Sequence, residues 1–276
     1  MILVTGGAGQ LGIAFRRVVP EARFVDLGDF DLTRGDLLVA ALAEMRPEAI
    51  VNCAAFTAVD RAEQEEDLAT EVNGTAVGMV AAYAAVQEIP FLTFSTDYVF
   101  PGDGATPYLE SSPTAPLNAY GRSKLAGERA ALGICPDALV VRTSWLVSGT
   151  HPNFVATMLR LAAERAVQVV DDQWGCPTMV GDLAPAAWAA LQAGASGLLH
   201  LANSGETTWF RFARAAVEVA GLDPGRIVPC STADYPTPAR RPVYSVLGSE
   251  RRGPLGLPDL PPWEESLPAV VEGLRR

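Results

Sequence analysis

The chain opens Met1-Ile2-Leu3-Val4-Thr5-Gly6-Gly7-Ala8-Gly9-Gln10-Leu11-Gly12, and the reading of this stretch decides the fold. An apolar run of strand length leads directly into Gly7-x-Gly9-x-x-Gly12, overlaid by the wider spacing Gly6-x-x-Gly9-x-x-Gly12. A helix over Leu11–Val19 is expected to follow. Glycine at these places permits a tight turn, lets backbone approach a pyrophosphate, and lets the helix pack close on the strand. The helix N-terminus then offers N–H groups and the positive end of its dipole to phosphate. A strand, glycine turn and helix in this order read as a dinucleotide-binding turn. Asp26 ends the next expected strand, Arg23–Asp26, where an acidic residue hydrogen-bonds the adenosine ribose; the same residue also suits a plain turn. As a ribose ligand it favours NAD over NADP, because a carboxylate repels a 2′-phosphate, and Arg34 nearby in sequence softens that preference.

Outward from the turn, apolar strands at Met1–Thr5, Arg23–Asp26, Ala49–Cys53, Phe91–Ser95 and Leu139–Ser144 alternate with helical stretches. Those stretches are Leu37–Met45, Ala62–Gln87 and Tyr120–Leu132. Such alternation predicts βαβ units and an α/β, Rossmann-type doubly wound parallel sheet over residues 1–145. After residue 145 the alternation fades. A helix Asn153–Arg165, a strand Val167–Val170, a helix Asp182–Ala193, a strand Gly197–Leu201 and a helix Thr208–Ala220 are expected there. Residues 146–276 thus predict a smaller C-terminal substrate-binding domain, with a strand near 197–203 returning to the first sheet. The proline-dense stretch Val228–Arg276 reads as loops with short elements over a binding cleft.

Composition narrows the function classes. The 276 residues are 49% hydrophobic, enough for a sizeable core, and the formal net charge of −11 speaks against a nucleic-acid partner, which demands a cationic face. No apolar run approaches the roughly 20 residues of a membrane span, so a soluble cytoplasmic protein is expected. Four scattered cysteines and two histidines, His151 and His200, suggest neither zinc nor disulfides. The histidines lack spaced partners, and no catalytic role is expected of them. Cys53 and Cys176 read as small core residues, and Trp174, Trp188, Trp209 and Trp263 as packing. Of 21 cationic residues only Lys124 is lysine. It is therefore a candidate for work that a guanidinium cannot do.

Tyr120-Gly121-Arg122-Ser123-Lys124 sets a tyrosine and that lysine four apart, on one face of an expected helix. A fixed cation beside a phenol favours the phenolate, and lysine can also reach ribose hydroxyls. Ser95-Thr96-Asp97 stands at the carboxyl end of a strand, the edge where α/β sheets hold ligands. A hydroxyl there can meet both a carbonyl oxygen and the tyrosine; Thr96 is assigned, with Ser95 competing.

Nine segments together resemble an extended short-chain dehydrogenase/reductase and, within it, the dTDP-4-dehydrorhamnose reductase family. They are GGAGQLG at 6–12, VNCAAFTAVDRAE at 51–63, STDYVFPG at 95–102, YGRSKLAGE at 120–128, RTSW at 142–145, NFVATMLRLA at 153–162, DDQWGCPT at 171–178, Thr207-Thr208-Trp209, and ARRPVYSVL at 239–247. The resemblance implies NAD(P)H-dependent reduction of the 4-keto group of dTDP-4-dehydro-L-rhamnose to dTDP-L-rhamnose. It makes Tyr120 the proton donor, Lys124 its pKa-lowering and ribose-binding partner, and Thr96 a tuning group that touches the sugar. Gly9, Gln10, Leu11, Asp31, Leu32, Ala55, Phe56 and Thr57 would line the cofactor, NADPH or NADH, along with Gly6, Gly12 and Asp26. Asp97 and Trp145 resemble positions that touch the deoxyhexose; Asn153, Gln173, Arg240 and Arg241 would hold the phosphates or base of the dTDP-sugar. Where some members carry a glutamate for Mg²⁺ at a dimer contact, this chain has Gly12-Ile13-Ala14-Phe15, so no Mg²⁺ is expected, and the molecule is expected as a monomer or homodimer. A 4,6-dehydratase has Asp-Glu after the strand-end Thr, whereas here Tyr98 follows Asp97. An epimerase stays open, as does a non-catalytic regulatory subunit like that of methionine adenosyltransferase, which would have no need of Tyr120, Lys124 and Thr96 together.

Overall fold

Val, Ile, Leu and Phe fill the short strands of the first half. The inner strands are buried on both faces, as a parallel sheet covered by helices requires, while the edge strand Arg23–Val25 is buried only at its end. The computed structural model describes residues 1–28 and 31–275. Its central sheet has six strands: β1 (Ile2–Thr5), β2 (Arg23–Val25), β3 (Ala49–Asn52), β4 (Phe91–Thr96), β5 (Leu139–Thr143) and β6 (Gly197–His200). All neighbours pair parallel, in the order β6-β5-β4-β3-β1-β2. Connections leave β1 toward opposite edges, to β2 on one side and onward to β3 on the other. That switch point opens a crevice at the carboxyl ends of β1 and β3.

Period-two alternation divides the strands between two cores. Val4, Val51, Leu92 and Val141 face α1 (Gln10–Val18), through Leu11 and Phe15, and the later helix Val180–Gln192, through Leu183 and Ala187. Leu3, Ile50, Phe91 and Val140 face α2 (Gly35–Met45), α3 (Ala76–Gln87) and α4 (Ala119–Ile134) on the other side. The later long helices, in chain order, are α5 (Phe154–Glu164), α6 (the Val180–Gln192 helix), α7 (Trp209–Val219) and α8 (Trp263–Leu274). A separate core from the second half gathers Val147, Val155, Phe212, Trp263 and Leu267. Both α6 and β6 come from that half yet pack on the first sheet.

Two expectations are corrected. The helix expected over Ala62–Gln87 is broken: short helices Val59–Ala62 and Glu66–Thr70 lead into a π turn, Glu71–Thr75, before α3. The π turn directs Asn73 inward, where it accepts from Phe56 N (2.9 Å) and donates to Phe56 O (3.0 Å) and Ser123 Oγ (2.9 Å). One extra residue in a turn leaves the apolar period almost unchanged, so periodicity does not reveal it. The stretch expected as loops, Val228–Arg276, contains α8, whose Trp263, Leu267, Val270 and Val271 are buried at helical spacing despite Pro268 in its interior. Pro229 likewise lies within a strand, Ile227–Cys230, which pairs parallel with Val167–Val170 in a two-stranded sheet, where an edge position tolerates the missing N–H.

Candidate active site

The glycine turn is shaped by what cannot fit in it. A Cβ on Gly12 would lie 2.1 Å from Gly6 O, so only glycine lets α1 begin this close to β1. Gly9 caps α1 without a side-chain hydrogen bond, which leaves the first N–H groups of the helix to a ligand. Beside this turn runs a cleft of about 660 Å³. Gly6, Gly9, Gln10 and Leu11 form one wall, and Asp26, Asp31 and Leu32 one end. Ala55, Phe56 and Thr57 face them, and Tyr120 and Lys124 close the far end. The Gly12 position lies beneath the turn, outside the lining. A cradle that a Cβ would fill, next to bare helix N–H groups, fits a dinucleotide's pyrophosphate.

Asp26 both frames the turn and faces the cleft. Its Oδ2 accepts from Ala8 N at 2.7 Å and its Oδ1 from Leu27 N at 2.8 Å. Asp31 is held below the ordinary carboxylate range by the hydroxyl and backbone N–H of Thr33.

The chemistry-bearing end is built on the first turns of α4. Asn118 caps it, its Oδ1 accepting from Gly121 N at 2.8 Å, and Glu63 accepts from Ala119 N at 2.7 Å. Gly121 is in turn required, because a Cβ there would sit 2.3 Å from Tyr98 O. That close approach brings Tyr120 edge-on to Tyr98, with ring centroids 6.1 Å apart, and within reach of the Thr96 hydroxyl. Burial pushes the Tyr120 phenol well above its ordinary value; Asp97 adds to the rise, and Thr96 opposes it. The lowering expected from Lys124 is not seen; burial dominates, and the phenol stays protonated. Lys124 is itself buried, which brings it down to about 8, with Glu128 pulling the other way. Burial likewise pushes Asp97 up to about 6. Ser95, the competing hydroxyl, borders the cleft but is buried with its Oγ unpaired among the described residues.

The residues expected to meet a substrate lie outside that cleft. Asp97 follows Thr96 at the tip of β4. Trp145 follows β5 in a left-handed backbone (φ 46°), its indole stacked on Trp209 at 3.6 Å. Arg241 forks onto Asp60 (2.8 and 2.9 Å), and the Arg240 carbonyl accepts from Asn118 Nδ2 at 2.9 Å. Arg240 is thereby tied through its carbonyl to the cap of α4, and Arg241 to the short helix Val59–Ala62. Gln173 is buried and donates to Thr232 Oγ1 at 3.0 Å. Asn153 caps α5 through its Oδ1, while its Nδ2 donates to Ser148 O, His151 O and Gln10 Oε1.

The model of the RmlD substrate binding domain family matches residues 1–276. The chain belongs to this family. It is 44% identical over 272 residues (96% of this chain, 92% of the relative) to a probable dTDP-4,6-dihydroxy-2-methyloxan-3-one 4-ketoreductase of Streptomyces antibioticus. It is also 44% identical over 286 residues (97% and 93%) to dTDP-4-dehydrorhamnose reductase of Streptomyces griseus. Among solved structures, dTDP-4-dehydrorhamnose reductase of Bacillus anthracis in complex with NADP superposes with a TM-score of 0.92 at 36% identity, over 96% of each chain.

Within this RmlD-family chain, three residues near the cleft escaped the sequence reading. His151 lines the cleft and places Nε2 2.7 Å from Ala8 O, 143 residues away. Asn73 ties the Phe56 segment to α4, and Glu128 lies buried one turn past Lys124. The Glu63-Gln64-Glu65-Glu66-Asp67 run reads as a solvated helix end, yet Glu63 steadies the start of α4. Only the position of Glu128 within YGRSKLAGE carried a signal, its four-residue offset from Lys124.

Proposed function

We infer that the chain is an NADPH-dependent reductase acting on the 4-keto group of dTDP-4-dehydro-L-rhamnose and yielding dTDP-L-rhamnose. The observation that carries the reading is that Tyr120 and Lys124 both line the glycine-turn cleft, with Thr96 against the phenol just outside it. The dinucleotide supplies hydride when bound. Tyr120, kept protonated by its surroundings, gives its proton to the ketone oxygen as that oxygen gains charge. Thr96 holds the phenol in place. Lys124 brings a positive charge to the site, where low dielectric enlarges its effect on a forming alkoxide. Asp97, with Oδ2 unpaired among the described residues, is suited to accept from a sugar hydroxyl, and Trp145 to flank the ring. Arg240, which no described side chain engages, is suited to a diphosphate. Asp26 fits the adenosine ribose and leaves NADH usable as well. No helix among the described residues is long and apolar enough to cross a membrane. The reading places the enzyme in the cytoplasm, as monomer or homodimer.

A second reading follows from another relative, 41% identical over 271 residues, a dTDP-4-keto-6-deoxy-D-glucose reductase of Streptomyces niveus. One assay separates the two. NADPH absorbance at 340 nm is followed after the dTDP-4-keto-6-deoxyglucose made by a 4,6-dehydratase is offered with and without the 3,5-epimerase that forms the rhamnose precursor. Oxidation only with the epimerase, and dTDP-L-rhamnose as product, supports the first reading. Oxidation without the epimerase favours the second. No oxidation by folded protein removes the reductase reading.

A further inference from the structure

Beneath Lys124 the interior holds charges that proton donation to a ketone does not use. Glu128 follows Lys124 by four residues on α4, so the two side chains share a helix face one turn apart. Both are buried, at 6% and 4% exposed. From β5, Arg142 grips the Glu128 carboxylate with two prongs: Nε donates to Oε1 at 2.8 Å and Nη2 to Oε2 at 2.6 Å. Arg142 is 2% exposed, and its guanidinium lies over the Phe100 ring at 4.9 Å. Its Nη1 faces His200 Nε2, on β6, at 3.4 Å. His200 Nδ1 lies 2.8 Å from Gly248 O, so Nδ1 carries the hydrogen and Nε2 accepts from the arginine. Burial brings His200 down to about 4 and keeps it neutral. The groups therefore run cation, anion, cation, neutral ring, from the cleft into the sheet.

An ion pair this deep returns little net stability, because desolvation offsets the attraction. What it does set is local charge. Without an anion between them, Lys124 and Arg142 would face each other across dry interior. Arginine cannot relieve that repulsion by releasing a proton, whereas lysine can. The other titratable groups that act on this pocket bring no opposing charge. Cys53, just past β3, is pushed far up by burial and stays a thiol, and Tyr120, on the same helix, stays a phenol. Asp97, beyond β4, acts on Tyr120.

We propose that Glu128, braced by Arg142, is a positioning residue of the active site, the anion that keeps Lys124 an ammonium at the floor of the cleft. The proposal rests on the reductase reading insofar as the ammonium is the working form of Lys124.

The composition supplies a direct test. Lys124 is the one lysine of the chain, so labelling lysine with ¹³C at Cε gives a single NMR signal whose titration belongs to this residue. The wild-type midpoint is expected near 8. Glu128→Gln should lower it by about one pH unit or more. Arg142→Met, which leaves the anion and removes the competing cation, should raise it. Unmoved midpoints, or movement of both in one direction, would mean that the pair serves packing alone and would overturn the proposal. Should one variant fail to fold, the other decides on its own sign. In turnover, the alkaline fall of kcat/KM in Glu128→Gln should move to lower pH with the lysine midpoint, and activity should recover as pH is lowered. A shifted lysine with an unmoved fall overturns the catalytic half of the proposal. Absence of turnover in the wild type would sink the reductase reading instead, and the NMR comparison would still decide the charge pairing.

Discussion

Thr96 donates its hydroxyl hydrogen to Asp97 Oδ1 across 2.8 Å, and this settles what each can offer. With its hydrogen on Asp97, the Thr96 oxygen accepts from Tyr98 N at 3.2 Å. The Ser245 hydroxyl also faces this carboxylate, whose Oδ2 is buried with no partner at hydrogen-bond distance among the described residues. A carboxylate in that position is poised for a donor from a ligand and poorly placed for the stability of the chain.

The cost has a pH signature. Asp97 stands at about 6 in the folded chain against an ordinary 3.8, so the ionised form is the worse accommodated. The penalty is absent below the ordinary value and complete once pH exceeds the folded one. Asp97→Asn should therefore be more stable than wild type at pH 8, by up to about 3 kcal/mol, and closely matched to it at pH 3.5. Denaturant melts at the two pH values measure this, and a less stable variant at pH 8 would rank the lost hydrogen bond above the relief of burial. Turnover by the same variant should fall.

Tyr120→Phe keeps the ring and loses the proton. kcat should drop by about 10²–10⁴-fold, the range for a general acid, while cofactor affinity, followed by dinucleotide fluorescence, stays within a factor of a few. Unchanged turnover would take the phenol out of the reaction.

Asp26→Asn leaves an acceptor for Ala8 N and removes the charge beside the ribose site. The ratio of KM values should move toward NADPH by about tenfold, the order expected from losing one near-surface charge contact. Equal ratios before and after would reduce Asp26 to a brace for the turn.

Asn153→Ala tests a residue whose amide is fully engaged in the fold. Loss of the α5 cap should cost about 1 kcal/mol. Cofactor affinity should weaken too, because the Ser148–Asn153 segment loses its hold on Gln10. Substrate KM at saturating cofactor should hardly change. A KM rise at unaltered stability would make Asn153 a substrate ligand.

Much of this was legible from local pattern. The first five strands lie within a residue or so of their expected ends, because each is a short apolar run closed by polar or turn residues. The glycine turn also announced which segments would border a dinucleotide. What escaped depends on contacts between distant residues. Arg241 and Asp60 meet across 181 positions, and Glu128 shows its partner only once β5 lies against α4. The π turn at Asn73 hides inside an apolar period, and α8 hides behind Pro268. The tryptophans show the same limit: composition marks Trp209 as packing, and only the fold reveals that what it packs against is Trp145.

The place of β6 carries a consequence for synthesis. It covers one edge of β5, and its residues come more than fifty positions after that strand. While the chain is being made, β5 presents bare amide and carbonyl groups until Gly197–His200 arrives, and an uncovered edge of this kind invites pairing with other chains. A fragment ending after Trp145 would keep the whole glycine turn and still carry that open edge, so such a fragment should aggregate where the full chain does not.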